Sequence, residues 1–279
     1  MTTYEALHRR AAWLDLTGRG LIRVSGEDAA RLLHAMSTND VQSLAVGQHV
    51  YAFFLNPQGR ILAGAWILRR EDHYLLDTEP ATRQSLYQHL DKFIIADDVT
   101  LEDVSEQFRV ISVETPGGGD FSAVGFADAR RHYLPVGAAF THELPQATRE
   151  DAEVVRLERG HALYGVDITD RYLVQETQQM QAVSFSKGCY LGQEIVERVR
   201  ARGAVHKHLV KLVVVAMQPP SAGTELLAEG GARAGVITSA AYSPVQGGVV
   251  AMGYVNVAFA KPGTALTLSG DLPQRVLVQ

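Results

Sequence analysis

The sequence predicts an α+β protein built in two parts, and three observations carry that reading. Up to about residue 206, strand-like runs alternate with amphipathic helices. From Leu209 onward only short β segments remain, punctuated by glycine and proline at the spacing of a small barrel or sandwich. The 279 residues, 46% apolar and 20% charged, suit a soluble globular chain with room for about two domains.

Composition excludes several function classes. The net charge of −5 gives no global basic field, so direct nucleic-acid binding is not expected. No run of about 18 apolar residues is present, so no membrane span is expected, and the opening MTTYEALHRRAAWLDL lacks a leader's apolar core. The single cysteine, Cys189, forbids an internal disulfide and points to a reducing, cytoplasmic setting. One thiol also cannot hold an iron–sulfur cluster alone. The ten histidines form no H-x-x-x-H pair or Cys/His cluster, and His206 with His208 is a weak pair, so no metal site is expected.

The first part reads in order as follows. Residues 4–12 predict a short helix, and Gly20 to Val24 a strand. Ser25 to Asp28 resembles a capping box ahead of Ala29, Leu32, Leu33 and Met36, whose spacing is helical. Val50 to Leu55 and Arg60 to Leu68 predict a hairpin closed by Asn56-Pro57-Gln58-Gly59. A strand at His73 to Asp77 follows, then a helix carrying Leu86, Leu90, Phe93 and Ile94, then a short strand near 99–104. Phe108 to Val113 opens a further group, with β segments near 121–126 and 131–137. Gly117-Gly118-Gly119 is a turn, since no G-K-[ST] follows it. Residues 150–159 predict a helix stopped by Gly160.

Residues 183–203, VSFSKGCYLGQEIVERVRARG, hold the densest chemistry. Cys189 lies between Gly188 and Gly192, which permit φ > 0, and ahead of a helix carrying Ile195, Val196 and Val199. A helix N-terminus and the ammonium of Lys187 would both favour a thiolate. The alternative is a buried, inert cysteine. Arg198, Arg200, Arg202 and Lys207 form a local basic run, read either as a solvated helix face or as an anion site.

The string Lys187-Gly188-Cys189-Tyr190-x-Gly192-Gln193-Glu194, with Arg198 beyond it, resembles the signature of the YgfZ family of folate-binding proteins. That family is related to the glycine-cleavage T-protein, an aminomethyltransferase. L-N-P-Q-G-R-I at the hairpin and R-L-E-x-G-x-x-L-Y-G at 156–165 resemble the same proteins. The resemblance implies a folate-binding α+β module over 1–206 with ferredoxin-like elements. Its two subdomains would be intertwined, the second over roughly 105–150, with a β-barrel over 207–279. It implies that tetrahydrofolate or a derivative binds in a central cavity. Glu158 would hold the pterin edge, because a carboxylate accepts two parallel hydrogen bonds. Tyr51 and Phe53 would flank the ring, and Cys189 would stand at the cavity mouth for redox chemistry or as a ligand shared with a partner.

Catalysis is where this sequence departs from the T-protein pattern. T-proteins carry an aspartate just after the G-x-I-L of the returning hairpin strand; here Ala63-Gly64 stand there. Neither side chain moves a proton. Asp77 is the nearby carboxylate that could substitute if the fold brings it in. The resemblance therefore implies a folate-binding accessory protein of iron–sulfur cluster assembly or repair, acting on iron–sulfur client or assembly proteins and indirectly on tRNA modification. Its rival is a tetrahydrofolate-dependent aminomethyl or one-carbon transferase.

Overall fold

The computed structural model describes residues 2–114, 130–141, 143–203, 205–270 and 274–279. The glycine run 117–119 and the β segment expected near 121–126 lie outside them. Helix α1 (Thr3–Arg9) opens on a capping box, in which Thr2 and Glu5 satisfy each other's backbone N–H groups. Strands β1 (Ala12–Asp15) and β2 (Gly20–Ser25) follow, then α2 (Ala29–Met36). The capping box expected at Ser25 to Asp28 does not form. Asp28 occupies the N-cap in a helical conformation, and its carboxylate instead accepts from the Asp98 N–H at 2.9 Å and Arg31 Nε at 3.2 Å.

The hairpin is β3 (His49–Leu55) and β4 (Ile61–Arg69), with Gly59 at φ 72° in its turn. With β5 (His73–Thr78), α3 (Arg83–Asp91) and β6 (Thr100–Asp103) it completes an antiparallel sheet of order β3-β4-β5-β2-β6. Alternation along β4 decides which residues meet which core. Ala63, Ala65 and Ile67 pack with Leu33 of α2 and with Leu86 and Leu90 of α3. Trp66 faces the other way with Tyr51 and Phe53, toward Leu157, Tyr164 and Tyr254.

Strands β7 (Phe108–Glu114) and β8 (Arg130–Pro135) form a second sheet whose third strand is β1, in the order β1-β7-β8. The N-terminal residues 12–15 thus complete a sheet otherwise formed far downstream. Helix α4 (Arg149–Arg159) is capped by Thr148 and ends on Gly160, left-handed at φ 73°. After α5 (Gln193–Arg202) come β9 (Lys207–Val214), β10 (Glu225–Leu227), β11 (Arg233–Ser243), β12 (Gly248–Asn256), β13 (Ala265–Leu268) and β14 (Arg275–Val278). They close a barrel in the order β10-β11-β12-β9-β14-β13, so a barrel and not an open sandwich is formed. Among the described residues no helix is long and apolar enough to cross a membrane.

Asp167 locks α4 to the barrel. Fully buried, it accepts from Arg156 Nη1 (2.6 Å), Thr238 Oγ1 (2.5 Å), Ser239 Oγ (2.6 Å) and the Leu163 N–H (2.9 Å). A charge so completely satisfied fixes one docking geometry, since any slip would leave it uncompensated.

Candidate functional site

The signature loop is stitched to α2. The Ser184 N–H donates to Thr38 O and the Leu191 N–H to Ala35 O, both at 2.9 Å. The Lys187 ammonium donates to the carbonyl oxygens of His34 and of Ser37 (2.8 Å), at the negative end of α2. It also lies 4.9 Å from the Tyr190 ring centroid. Burial pushes the Lys187 pKa down to about 8, against the opposing charges of Asp40 and Cys189. Lys187 is therefore an anchor for the loop as well as a neighbour of the thiol. Gly188 and Gly192 both take positive φ, as the sequence requires, and Gly192 caps α5. A Cβ on Gly192 would lie 2.7 Å from Asn56 O, so only glycine lets α5 start against the hairpin turn. Cys189 is exposed, which removes the buried alternative.

A cavity of about 210 Å³ lies elsewhere, between the β1–β2 connection, residues 79–80, the first turns of α4 and segment 161–163. Leu14, Leu16 and Leu163 supply apolar wall, and Arg19, Arg131, Arg149 and Arg156 bring four guanidinium groups with Glu79 and Glu153. Asp77 sits under its floor, fully buried. It pairs with Arg19, accepts from Arg131 Nη1 at 2.5 Å and from the Tyr133 hydroxyl at 2.7 Å. Burial alone would raise the Asp77 pKa; Arg131 and Arg19 hold it below the usual carboxylate value. Burial, then Arg159 and Arg156, push His161 down to about 3, so the cavity wall there is a neutral imidazole.

Most of the cavity's charges are already matched. Arg156 takes both oxygens of Glu153, through Nε at 2.8 Å and Nη2 at 2.5 Å. Arg19 Nη1 donates to Glu79 Oε1 at 2.6 Å, while Glu79 Oε2 takes part in no described hydrogen bond. The only described contact of the Arg149 guanidinium is a 3.4 Å hydrogen bond from Nη2 to Thr17 O. One carboxylate oxygen and one guanidinium are thus left for a ligand.

The residues picked from sequence do not converge on this cavity. Tyr51 (6% exposed) and Phe53 (0%) are core side chains, packed edge-on with ring centroids 5.7 Å apart, and do not flank an open ring site. Their strand alternation puts them inside because α4, segment 162–168 and the barrel cover that face of the sheet. Glu158 is engaged from another side. Its Oε1 accepts from the Tyr4 hydroxyl and from Ser243 Oγ at 2.6 Å, and His8 Nε2 lies 2.6 Å from Oε2. It ties α1 to the barrel and does not line the cavity. Asp77 is brought next to the hairpin, opposite Trp66 on β5, but as the clamp of two arginines. Cys189 is not at the cavity mouth either, since no lining residue comes from 183–203. The basic run is partly self-neutralised: Arg198 pairs with Glu194, Arg200 with Glu197, and Lys207 lies over the Tyr172 ring.

Gly64 faces the Tyr51 side of the sheet and Ala63 the opposite core. The Tyr51 hydroxyl fills the space above Gly64, where a Cβ would lie 1.7 Å from its oxygen. Sequence reading missed Arg19, Glu79, Arg131 and Arg149. One signal was available for Arg149: a cation in the first turn of a helix opposes the helix dipole and needs another reason to be there.

The GCVT N-terminal domain family model matches residues 2–121, and the glycine cleavage T-protein C-terminal barrel domain model matches 207–275. A mitochondrial iron–sulfur cluster assembly factor IBA57 homolog from Mycosarcoma maydis is 30% identical over 73% of this chain and 58% of its own length. The tRNA-modifying protein YgfZ of Hamiltonella defensa is 27% identical over 93% of this chain and 87% of its own. An aminomethyltransferase from Koribacter versatilis is also 27% identical, over 92% and 80%. Among solved structures, the glycine cleavage system aminomethyltransferase T from Bartonella henselae superimposes with a TM-score of 0.87 at 21% identity, covering 99% of this chain and 87% of that one. That likeness establishes the fold.

Proposed function

The chain belongs to the YgfZ family of glycine-cleavage T-protein relatives, and on that premise we propose that it is a folate-binding accessory factor of iron–sulfur cluster assembly or repair. The observation that carries the folate part is the cavity with its half-used carboxylate. A pterin presents adjacent N–H donors along one edge of a bicyclic ring whose faces can lie against apolar side chains. Glu79 can accept from both, because Oε2 has no described partner and Oε1 keeps a second lone pair beyond its bond from Arg19. The volume is below the roughly 300 Å³ at which pockets for whole drug-sized ligands begin, so it takes the bicyclic head and leaves the rest outside. Tetrahydrofolate bound there would supply a one-carbon carrier. The chain's own residues would orient it through Glu79 and keep water off its ring through Leu14, Leu16 and Leu163.

Exposed Cys189 supports the iron–sulfur part, together with the two relatives named for cluster assembly and tRNA modification. A solvent-facing thiol suits a transient ligand shared with an iron–sulfur client or assembly protein, since one donor cannot hold a cluster. The rival transferase reading has less support. Position 64 has no side chain and no room for one, and Asp77 is spent on two arginines.

Calorimetry with tetrahydrofolate on wild type, Glu79→Gln and Glu158→Gln tests the folate reading, followed by an aminomethyl-transfer assay with a lipoyl carrier. We expect Glu79→Gln to lose about tenfold or more in affinity, the weight of a hydrogen bond to a charged group. Glu158→Gln should lower stability by loosening α1 and leave affinity nearly unchanged, with no transfer by any form. Affinity lost through Glu158→Gln while α1 stays docked would return the pterin to Glu158. Robust turnover would establish the transferase instead.

A further inference from the structure

One titratable group beside the cavity has no part in the folate reading. Strands β1, β7 and β8 lie side by side, and their register sets Leu14, Ser112 and Arg131 in one row across the sheet. Directly paired residues of neighbouring strands point to the same face. Leu14 and Arg131 both line the cavity. Ser112, between them and fully buried, therefore stands in the cavity's back wall. Its hydroxyl donates to Glu114 Oε1 at 2.7 Å. Glu114 lies two residues further along β7, so it shares that face, and it is buried one hydrogen bond behind the wall.

The surroundings of Glu114 decide its charge. Strand β1 sets only Ala12 opposite it. Among the described residues the charged groups acting on it are Arg131 from β8 and Arg159 from the last turn of α4. Both are engaged elsewhere: Arg131 Nη1 donates to Asp77 at 2.5 Å, and Arg159 Nη2 to Leu7 O at 3.1 Å. Burial outweighs these cations and the Ser112 hydroxyl, and raises the Glu114 pKa to about 7. Uncharged, Glu114 leaves Arg131 on Asp77 and in the cavity wall. Ionised, it is a buried carboxylate that must draw a cation toward itself, and Arg131 exerts the larger attraction of the two.

We infer that Glu114 is a positioning residue for the cavity, acting through Arg131, and that ligand binding in the cavity and protonation of Glu114 favour each other. A ligand that fills the cavity also removes water from the far side of the Ser112–Arg131 row, which disfavours a carboxylate behind it. By linkage, binding then takes up a proton and weakens as the pH rises. His161, the imidazole of the cavity wall, is held down to about 3 and stays neutral throughout this range. The inference rests on the folate reading for its ligand, tetrahydrofolate.

The test is calorimetry with tetrahydrofolate on wild type and Glu114→Gln at pH 6 and pH 8, and at pH 7.5 in two buffers of different ionisation enthalpy, which counts the protons taken up. Wild-type affinity should fall about fivefold from pH 6 to pH 8, with about half a proton taken up at pH 7.5. Those are the values that one further pKa unit gained on binding produces from a starting value of about 7. Glu114→Gln keeps the shape of the uncharged acid, so it should bind about equally at both pH values and take up no proton. Thermal unfolding checks that it folds, and the wild-type proton count is read without any substitution. Wild type that binds with no proton uptake would overturn the inference while leaving folate binding standing. The same pH dependence in Glu114→Gln would also overturn it, by assigning the proton to another group. Wild type that binds no tetrahydrofolate at either pH would remove the folate reading itself, and the inference with it.

Discussion

Gly64→Ala tests how the hairpin of this protein differs from one that carries a catalytic acid. The added Cβ would meet the Tyr51 hydroxyl oxygen at 1.7 Å and Cζ at 2.7 Å, both closer than side chains tolerate. Tyr51 has nowhere to go: its ring centroid lies 5.3 Å from that of Trp66 and 5.7 Å from that of Phe53, and it is 6% exposed. Overpacking of this kind costs about 1–3 kcal/mol, and the confinement puts Gly64→Ala at the upper end. Gly64→Asp should cost more, because it adds a carboxylate to a buried apolar face. Tyr51→Ala alone empties a large core position, at about 3–5 kcal/mol by analogy with other buried aromatics. Combined, the two changes relieve each other, so the double variant should be less destabilised than the sum by about 1–3 kcal/mol. Tyr51→Phe gives an internal control. It deletes a buried hydroxyl without a described partner and with it the 1.7 Å contact, yet leaves the ring carbon at 2.7 Å, so it should rescue Gly64→Ala only in part. Urea unfolding of the set reads these costs directly. Additivity to within about 0.5 kcal/mol would refute the claim that Tyr51 occupies the side-chain space of position 64.

Glu114 is buried with only Ser112 Oγ as a described hydrogen-bond partner, and burial raises its pKa to about 7 from 4.5. The folded state then holds a proton that the unfolded state has released between pH 4.5 and 7, so stability falls across that window by about 3 kcal/mol and is flat above it. Glu114→Gln should remove the slope and be the more stable form at pH 8; an unchanged pH profile would contradict the burial argument. Cys189→Ser should leave unfolding and tetrahydrofolate affinity unchanged and abolish support of iron–sulfur enzyme activity in cells lacking their own factor. Full complementation by the serine variant would reduce Cys189 to an ordinary surface residue.

Local physics made much of the fold readable. The spacing of Ala29, Leu32, Leu33 and Met36 sets α2, and the same four side chains are the ones it buries. Asn56 to Gly59 turns the hairpin because Gly59 takes φ 72° there, and Gly160 and Gly192 bound α4 and α5 for the same reason. Strand β1 was not readable. The helix expected over 4–12 reaches Ala12, and nothing local marks residues 13–15 as a strand until β7, far downstream, pairs with them. The capping box at Ser25 failed similarly, because Asp98 offers Asp28 a better partner from across the chain.

The site was harder to read than the fold because it is defined by what remains after charges are paired. Asp77 holds Arg19 and Arg131, Glu153 and Asp167 hold Arg156, and Tyr4, His8 and Ser243 surround Glu158. Each pairing joins segments distant in sequence, so a local motif can name Glu158 as a carboxylate without saying whether that carboxylate is already engaged. Burying an ion pair is close to neutral in energy, whereas breaking one strands a charge and costs about 3–5 kcal/mol. Engaged groups therefore stay engaged, and ligand chemistry falls to the groups left over. In this cavity those are the second oxygen of Glu79 and the Arg149 guanidinium.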